Sequence, residues 1–503
     1  MTDRNNILFI TSDQQHWFTL GLMNKEIHTP NLDRLANSGI NFTRAYTVNP
    51  TCTPTRASCL TGTYPSQHGA YSLGTKLMED VHTVGEDFIK AGYRTALVGK
   101  AHFQPLASTE EYPSLEAYPI LQDLDFWKKY KEPFYGFESA ELARNHTNEA
   151  HVGQHYAIWL EEKGCENWRD YFRPPTGNME HKLGSWEIPE KYHYGTWIAE
   201  RCNAKLESYA QNNENFYMWA SFFDPHPAYL VPKPWDTMYD PKKLTIPKMQ
   251  PDEHQNNPPH FQKTQETTPD YSEYKEEEGN ACHGFSSHLH DDETLADNIA
   301  TYYGMISLMD KQIGTILDKL DELNLTDKTM VIFTTDHGHF YGHHGLVAKG
   351  AFHYEDMIKI PMIAKLPGTL PSGITSDKLQ SIVDVAPTIL SAAGIDVPRC
   401  MTGINMMPEW SEKTEAIRDH VICENRHQPT KLHLKTYVNQ RYKITIYYGQ
   451  NYGELFDLQE DPNELNNLWD NEVYRELKSD LCMKFFHAEM IKEPLPMPRI
   501  AGA

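Results

Sequence analysis

Apolar runs of strand length recur along this chain. They read NILFITS (6–12), YRTALVG (93–99), NFYMWASFF (215–223), TMVIFTTD (329–336) and IPMIAKLP (360–367). None keeps a strict polar/apolar alternation. A strand that is apolar on both faces must be covered on both faces, as in the middle of a sheet lined by helices. Helical patterns fill the intervals. TPNLDRLANSG (29–39) reads as a short helix with Thr29 as cap, Pro30 in its first turn and Gly39 as stop. Residues 296–323 carry apolar side chains at helical spacing over several turns, and VDVAPTILSAAG (383–394) is a further helix. Strands alternating with helices predict an α/β fold with a mainly parallel sheet.

The pattern changes after Pro398. LHLKTYVNQRYKITIYYG (432–449) and GELFDL (453–458) read as strands of a small antiparallel sheet, and a helix follows from about residue 472 to 490. The expected division is a catalytic α/β unit over 1–400 and a smaller C-terminal sheet-plus-helix unit over 401–503. Inserts are expected near 104–191 and 232–292. The second carries SEYKEEEGNA (272–281), too acidic and too poor in apolar residues for a core, and reads as an exposed lobe or loop.

Bulk properties remove several function classes. A formal charge of −23 over 503 residues argues against nucleic-acid binding. It also means that an anionic substrate needs a local basic pocket working against the global field. The eight cysteines form no CxxC pair, so neither a zinc ribbon nor a thioredoxin motif is supported. The apolar run at residues 7–10 is too short for a secretion signal, and no run is long enough to span a membrane. A cytoplasmic location without a membrane partner is expected.

Ligands of a parallel α/β sheet bind beyond the carboxyl ends of its strands. Asp13 and Gln14 follow the first run, and Lys100 and His102 follow the second. Asp224 and His226 follow the third. Asp336 and His337 follow the fourth, with Lys349 beyond. Taken singly, each has a plain structural explanation as a cap, a packed histidine or a solvated lysine. The same placement at four strand ends argues for a site. Asp13, Gln14 and Asp336 offer oxygens to a hard divalent cation, and His337 adds a nitrogen that admits manganese. Lys100, Lys349 and Arg56 offer fixed positive charge to a tetrahedral oxyanion. His102 and His226 can move protons near neutral pH.

Within NPTCTPTRASCLTG (49–62), Cys52 precedes an expected helix that carries Arg56 one turn in. A disulfide with Cys59 fails on geometry. Seven helical residues advance about 10 Å, whereas bridged Cα atoms lie within about 7 Å. A thiolate nucleophile, its pKa lowered by the helix N-terminus, is the better rival. Thiolates suit acyl transfer, whereas the surrounding cations and hard-metal ligands suit phosphoryl or sulfuryl transfer.

CTPTRASCLTG resembles the type I sulfatase signature, in which C-x-P-x-R directs oxidation of the cysteine to formylglycine. TPNLDRLANSGINFTRAY, LVGKAHF, DPHPAY, TTDHGHFYGHHGLVAKG, SIVDVAPTILSAAGI and ELFDLQEDPNELNNL resemble family segments in the family order. The resemblance covers most of the chain. It implies an alkaline-phosphatase-like fold, a sulfuric ester hydrolase and a maturation enzyme that reads Pro54 and Arg56. It also implies a divalent metal held by Asp13, Gln14, Asp336, His337 and modified Cys52. Calcium is the expected ion, with magnesium or manganese as alternatives. One hydroxyl of the hydrated aldehyde attacks sulfur and the other later ejects sulfate. Arg56 holds the modified residue, and Lys100, His102, His226 and Lys349 line the sulfate site. His226 protonates the leaving oxygen, His102 helps the elimination, and Asp336 can accept the nucleophile's proton.

Gln14 and His337 depart from the Asp and Asn that the family often has. Such variants resemble those of carbohydrate sulfatases and also those of phosphonate monoester hydrolases. A phosphonate or phosphodiester substrate is therefore the alternative activity, and a non-catalytic sulfated-glycan binder is the alternative of another class. The expected substrate is a sulfated oligosaccharide or polysaccharide fragment. Trp168, Arg169, Arg173, His181 and Trp186 in the first insert are candidates for binding the sugar, against a plain reading as loop packing. A homo-oligomer is left open.

Overall fold

The computed structural model describes residues 4–144, 149–173, 183–277, 291–428 and 430–502. In chain order its strands are β1 (Asn6–Ser12), β2 (Ile40–Tyr46), β3 (Arg94–Gly99), β4 (Ser139–Leu142), β5 (Leu183–Trp186), β6 (Phe216–Ser221), β7 (Tyr229–Pro232) and β8 (Thr329–Thr335). They continue with β9 (Lys359–Lys365), β10 (Ile374–Ser376), β11 (Gln380–Ser381), β12 (His420–Arg426), β13 (His433–Asn439), β14 (Tyr442–Tyr447) and β15 (Gly453–Asp457). The main sheet runs β10-β2-β9-β8-β1-β6-β3-β4, with β11 also pairing with β2. Every pairing in it is parallel except those of β9, which is antiparallel to both β2 and β8.

β1 shows why its sequence has no polar face. Successive side chains of a strand point to opposite sides, and both sides of β1 are core. Ile7 and Phe9 join one cluster with Ile389 and Leu390 of the helix Val385–Ala392. Leu8 and Ile10 join a second with Trp197 and Ile198 of the helix Tyr194–Asn212 and with Ile306, Met309 and Ile313 of the helix Asp292–Glu322. Each of these four β1 side chains is fully buried, worth about 1.5–3 kcal/mol apiece before the entropy of ordering is counted.

β12 to β15 form the antiparallel C-terminal sheet in the order β12-β13-β14-β15. The helix Arg475–Ile491 lays Leu481 and Phe485 onto Tyr437, Ile444 and Leu455 in the first core cluster. The region expected as an insert near 104–191 is more than a loop. It supplies β4, which pairs in parallel with β3 at the edge of the main sheet, and the helix Gln154–Glu162. In the acidic stretch of the second insert, residues 272–277 are mostly exposed around one 3-10 turn, and 278–281 lie outside the described residues.

Candidate active site

The carboxyl ends of β1, β3, β6 and β8 meet beneath the N-terminus of the helix Cys52–Thr61. That helix starts because Thr51 is extended and tied down by Asn49, whose Oδ1 accepts from the Thr51 N–H at 2.9 Å. It stops at Gly62, whose φ of 64° lies in the left-handed region that glycine adopts without strain. Gly99 at the end of β3 is required for a different reason. A Cβ there would collide with the Ser221 carbonyl, so only glycine lets the chain turn toward Lys100.

Cys52 is fully buried. Sγ lies 3.2 Å from His337 Nε2, 3.2 Å from Lys349 Nζ, 3.5 Å from Asp13 Oδ1 and 3.8 Å from Lys100 Nζ. Lys100 Nζ is also in direct contact with Asp13 Oδ2. Arg56 donates from Nε to Asp336 Oδ2 at 2.9 Å, and from Nη1 to Ser221 Oγ at 2.7 Å and the Lys100 carbonyl at 3.1 Å. One guanidinium thus ties together the ends of β3, β6 and β8. Asp336 Oδ1 accepts from the backbone N–H groups of Gln14 and His337, both at 3.0 Å.

Asp13, Cys52, Asp336 and His337 are all buried, and each offers a ligand atom within 4.8 Å of the others. His337 Nδ1 faces the Gly338 carbonyl at 3.0 Å, which places the proton on Nδ1 and leaves the Nε2 lone pair for the centre. Gln14 is held in the left-handed region at φ 62°, and both polar atoms of its buried side chain lack a hydrogen-bond partner. A buried amide with two unmet groups costs free energy unless something else satisfies it. A hard divalent cation is what these oxygen-rich donors fit. Tyr302 fixes this turn from the helix Asp292–Glu322, its hydroxyl donating to the Gln14 carbonyl at 2.8 Å and accepting from the His16 N–H at 2.8 Å.

Electrostatics follow from burial opposed by neighbours. Burial acts to raise the Asp13 pKa, but Lys100, His226, Arg56 and Lys349 together hold it well below the usual carboxylate range. Burial acts to lower the Lys349 pKa, yet Cys52, Asp13 and Asp336 hold it above its ordinary value. Burial, then Arg144, Lys100 and Arg56, push His102 well below the usual histidine range, so its ring is neutral. His226 Nδ1 donates to the Pro227 carbonyl at 2.6 Å, and Nε2 lies 3.4 Å from Lys349 Nζ.

All ten residues named for catalysis and metal binding end within this neighbourhood: Asp13, Gln14, Cys52, Arg56, Lys100, His102, His226, Asp336, His337 and Lys349 stand on adjoining strand ends and loops. The sugar-binding candidates fare differently. Trp168 and Trp186 are buried in the second core cluster, so neither ring has a face free for a sugar; this corrects the expectation. Arg169 stacks on Trp168 at 4.2 Å, and exposed Arg173 pairs with Asp170 at 3.4 Å. His181 lies outside the described residues. The two tryptophans pack the insert against the second core cluster. Sequence reasoning missed Ser221, Tyr302, Glu116 and Arg144. Ser221 is the last residue of β6 and was legible in principle, while Tyr302 sits unmarked inside a long helix.

A second buried cluster lies nearby. Asp356 takes His16 Nε2 on one oxygen at 2.8 Å and His344 Nε2 on the other at 3.1 Å. His344 Nδ1 contacts Glu253. The Phe18 N–H donates to His16 Nδ1 at 3.1 Å, which puts the His16 proton on Nε2, facing Asp356. That tautomer makes this cluster a hydrogen-bonded brace, with no lone pair from His16 to give a metal.

Comparison with known proteins agrees with this geometry. Residues 5–395 match the family described as Sulfatase, and residues 342–490 match N-sulphoglucosamine sulphohydrolase, C-terminal. An arylsulfatase of Clostridium perfringens is 27% identical over 94% of this chain and 91% of its own length. An N-acetylglucosamine-6-O-sulfatase of Bacteroides thetaiotaomicron is 25% identical over 95% of this chain and 85% of its own length. The structure of a phosphonate monoester hydrolase from Silicibacter pomeroyi superposes with a TM-score of 0.79 at 23% identity, covering 98% of this chain and 96% of that one. That likeness carries the fold, which is alkaline-phosphatase-like. A strand-end site around Cys52 and a match over most of the chain lead to one statement: the chain belongs to the sulfatase family.

Proposed function

We propose that this chain hydrolyses a sulfate ester on a sulfated oligosaccharide or polysaccharide fragment, with residue 52 matured to formylglycine and Asp13, Gln14, Asp336 and His337 holding a calcium ion. The observation that carries the reading is the convergence of Lys100, Lys349, Arg56 and His226 on the space around Cys52, opposite an acidic, amide-bearing wall. When present, the metal and the hydrated aldehyde supply a low-pKa oxygen nucleophile and neutralise sulfate charge. The chain's own residues supply the rest. Lys100 and Lys349 bind the sulfate oxygens and hold their charge as it grows in the transition state. Arg56 fixes Asp336 and the three strand ends, so the site does not reorganise during the reaction. His226, its Nδ1 proton committed to Pro227, presents Nε2 to the ester oxygen. Protonated there, it gives that proton to the leaving alcohol. Neutral His102 takes up a proton in the elimination that releases sulfate.

The carbohydrate substrate is supported by the name of the Bacteroides relative and by the family match of the C-terminal region. The second reading, a phosphonate monoester hydrolase, is favoured by Gln14 and His337 and is the alternative outcome of the test. That test measures kcat/KM on defined monosulfated saccharides and on a phenylphosphonate ester, with peptide mass spectrometry at residue 52. Turnover of a saccharide sulfate by protein whose residue 52 shows the lower mass of an aldehyde, with oxygen in place of the thiol sulfur and two hydrogens, supports the proposal. Full turnover by an unmodified thiol, or phosphonate turnover alone, defeats it.

A further inference from the structure

The strand-end rule applied to β4 leads to Arg144. In the β3–β4 register Gly99 stands opposite Leu142, so Arg144, two residues on, is level with Ala101, between Lys100 and His102. The Ala143 N–H donates to the Gly99 carbonyl at 3.1 Å and keeps the two chains adjacent past the strand ends. Arg144 is only 6% exposed. Its one ion-pair partner among the described residues is Glu116, with Nε 3.2 Å from Oε2. That oxygen also accepts the His102 N–H at 3.0 Å, so the guanidinium and the backbone of a site residue share one atom. Glu116 is further occupied by the N–H groups of Phe103 at 2.9 Å and Gln104 at 3.1 Å. Arg144 Nε is buried without a hydrogen bond, as is Nδ1 of neighbouring His102.

A buried guanidinium ordinarily spends its five N–H donors on carboxylates or carbonyls. This one meets a carboxylate already shared with three backbone amides. Burial lowers its pKa, and Glu116, Cys52 and Asp13 offset that only in part. It is a cation held ready beside the sulfate site and short of an anion. Lys100 and Lys349, in contact with Cys52, already serve the reacting group.

We infer that Arg144, with His102 Nδ1 beside it, forms a subsite for a second anionic group of the substrate, a sulfate or carboxylate on the same or the adjoining sugar. The inference rests on the sulfatase reading above and narrows its substrate class to multiply charged saccharides. A planar fork of N–H donors matches either anion in two-point contact.

The experiment compares kcat/KM within pairs of defined saccharides that share one sulfate ester and differ only in a second sulfate or carboxylate, with 4-nitrophenyl sulfate as a substrate lacking one. The wild-type enzyme is expected to favour the doubly charged member of at least one pair. Arg144→Gln is expected to lower kcat/KM on that member by about 10- to 100-fold, the range of one charge-assisted contact. Its rate on the singly charged member and on 4-nitrophenyl sulfate should stay within about twofold. Arg144→Lys keeps a charge against Glu116, and so the fold, and should restore part of the preference. Equal losses on all substrates at an unchanged melting temperature would place Arg144 on the reacting sulfate and overturn the subsite. Turnover of sulfated saccharides with no preference in any pair also overturns it, while leaving the sulfatase reading intact. Absence of turnover on every sulfate ester removes the sulfatase reading, and this inference with it.

Discussion

Two buried polar centres lie one short loop apart and are built on opposite terms. On β12, the buried Glu424 carboxylate has both oxygens satisfied. Its Oε1 accepts from Lys435 at 3.0 Å and Ser66 Oγ at 2.9 Å and contacts Lys492, while Oε2 accepts the Ser66 N–H at 2.9 Å. The Glu424 carbonyl accepts from Asn49 Nδ2 at 2.6 Å, and Asn49 in turn orients Thr51, next to Cys52. Around Cys52 the accounts stay open: Gln14 Nε2 and Oε1, Arg56 Nη2, His102 Nδ1 and Arg144 Nε make no hydrogen bond, the two guanidinium nitrogens having only ion-pair contacts with Asp13 and Glu116. Polar groups buried for stability are satisfied by the protein, whereas those buried for chemistry wait for what binds. The saturated centre on the C-terminal sheet steadies the loop that presents the unsaturated one.

That contrast breaks if mutations at the two centres have the same signature. The largest expected effect is on turnover. His226→Ala should lower kcat by roughly 10²- to 10⁴-fold and leave the melting temperature nearly unchanged, because the ring is only half-buried and is not part of the hydrophobic core. A melting temperature that falls in step with activity would erase the distinction.

At the saturated centre the effect should be on stability, and it should titrate. Burial opposes the Glu424 charge, but Lys492 and Lys435 lower its pKa to about 2. A depressed carboxylate contributes stability that is present above its unfolded value near 4.5 and lost as the pH falls toward 2. The gap of about 2.5 units corresponds to about 3 kcal/mol. Denaturant unfolding of Glu424→Gln should show a deficit of that order at pH 7, shrinking toward zero as acid protonates the native carboxylate. A deficit independent of pH would assign the loss to packing.

His344 should give the mirror image. Burial acts against its charge, yet Asp356 and Glu253 raise its pKa to about 9. A raised histidine stabilises fully below its unfolded value near 6.5, and that contribution fades as the pH climbs through 9. Stability of the wild-type protein relative to His344→Gln should therefore decline between those values. A constant difference across that range would mean that the ring is not charged in the native state.

The smallest effect is the finest test of the open centre. Tyr302→Phe removes the donor to the Gln14 carbonyl and the acceptor of the His16 N–H, each worth about 1 kcal/mol. The expected result is a several-fold weaker calcium midpoint in thermal-shift titration, beyond what the modest fall in the metal-free melting temperature accounts for. An unchanged midpoint would show that the turn holds Gln14 without the tyrosine.

Much of this was legible before any coordinates. β1, β3, β6 and β8 announce themselves because both faces are core, and the helix at Cys52 begins where the motif places it. β4 stayed hidden because its first three residues, Ser139, Ala140 and Glu141, are only partly buried at the sheet edge and carry no apolar run. Missing that strand meant missing Arg144 at its end. The reversed direction of β9 was equally silent, since a fully buried strand reads the same whichever way it runs. Trp168 and Trp186 misled in the opposite sense. Aromatic residues in a long connection suggest a binding surface, but these two anchor the insert in the second core cluster, which it shares with Leu8 and Ile10 of β1.

The complete inaccessibility of Cys52 sets a clock. No second protein can touch a side chain with no surface, so under the proposed maturation of residue 52 the modifying enzyme would have to reach the growing polypeptide while β8 is still being synthesised or has yet to dock. Synthesis slow enough for the modifying enzyme to keep pace should yield active protein, and hurried overproduction should yield well-folded molecules that are permanently inert.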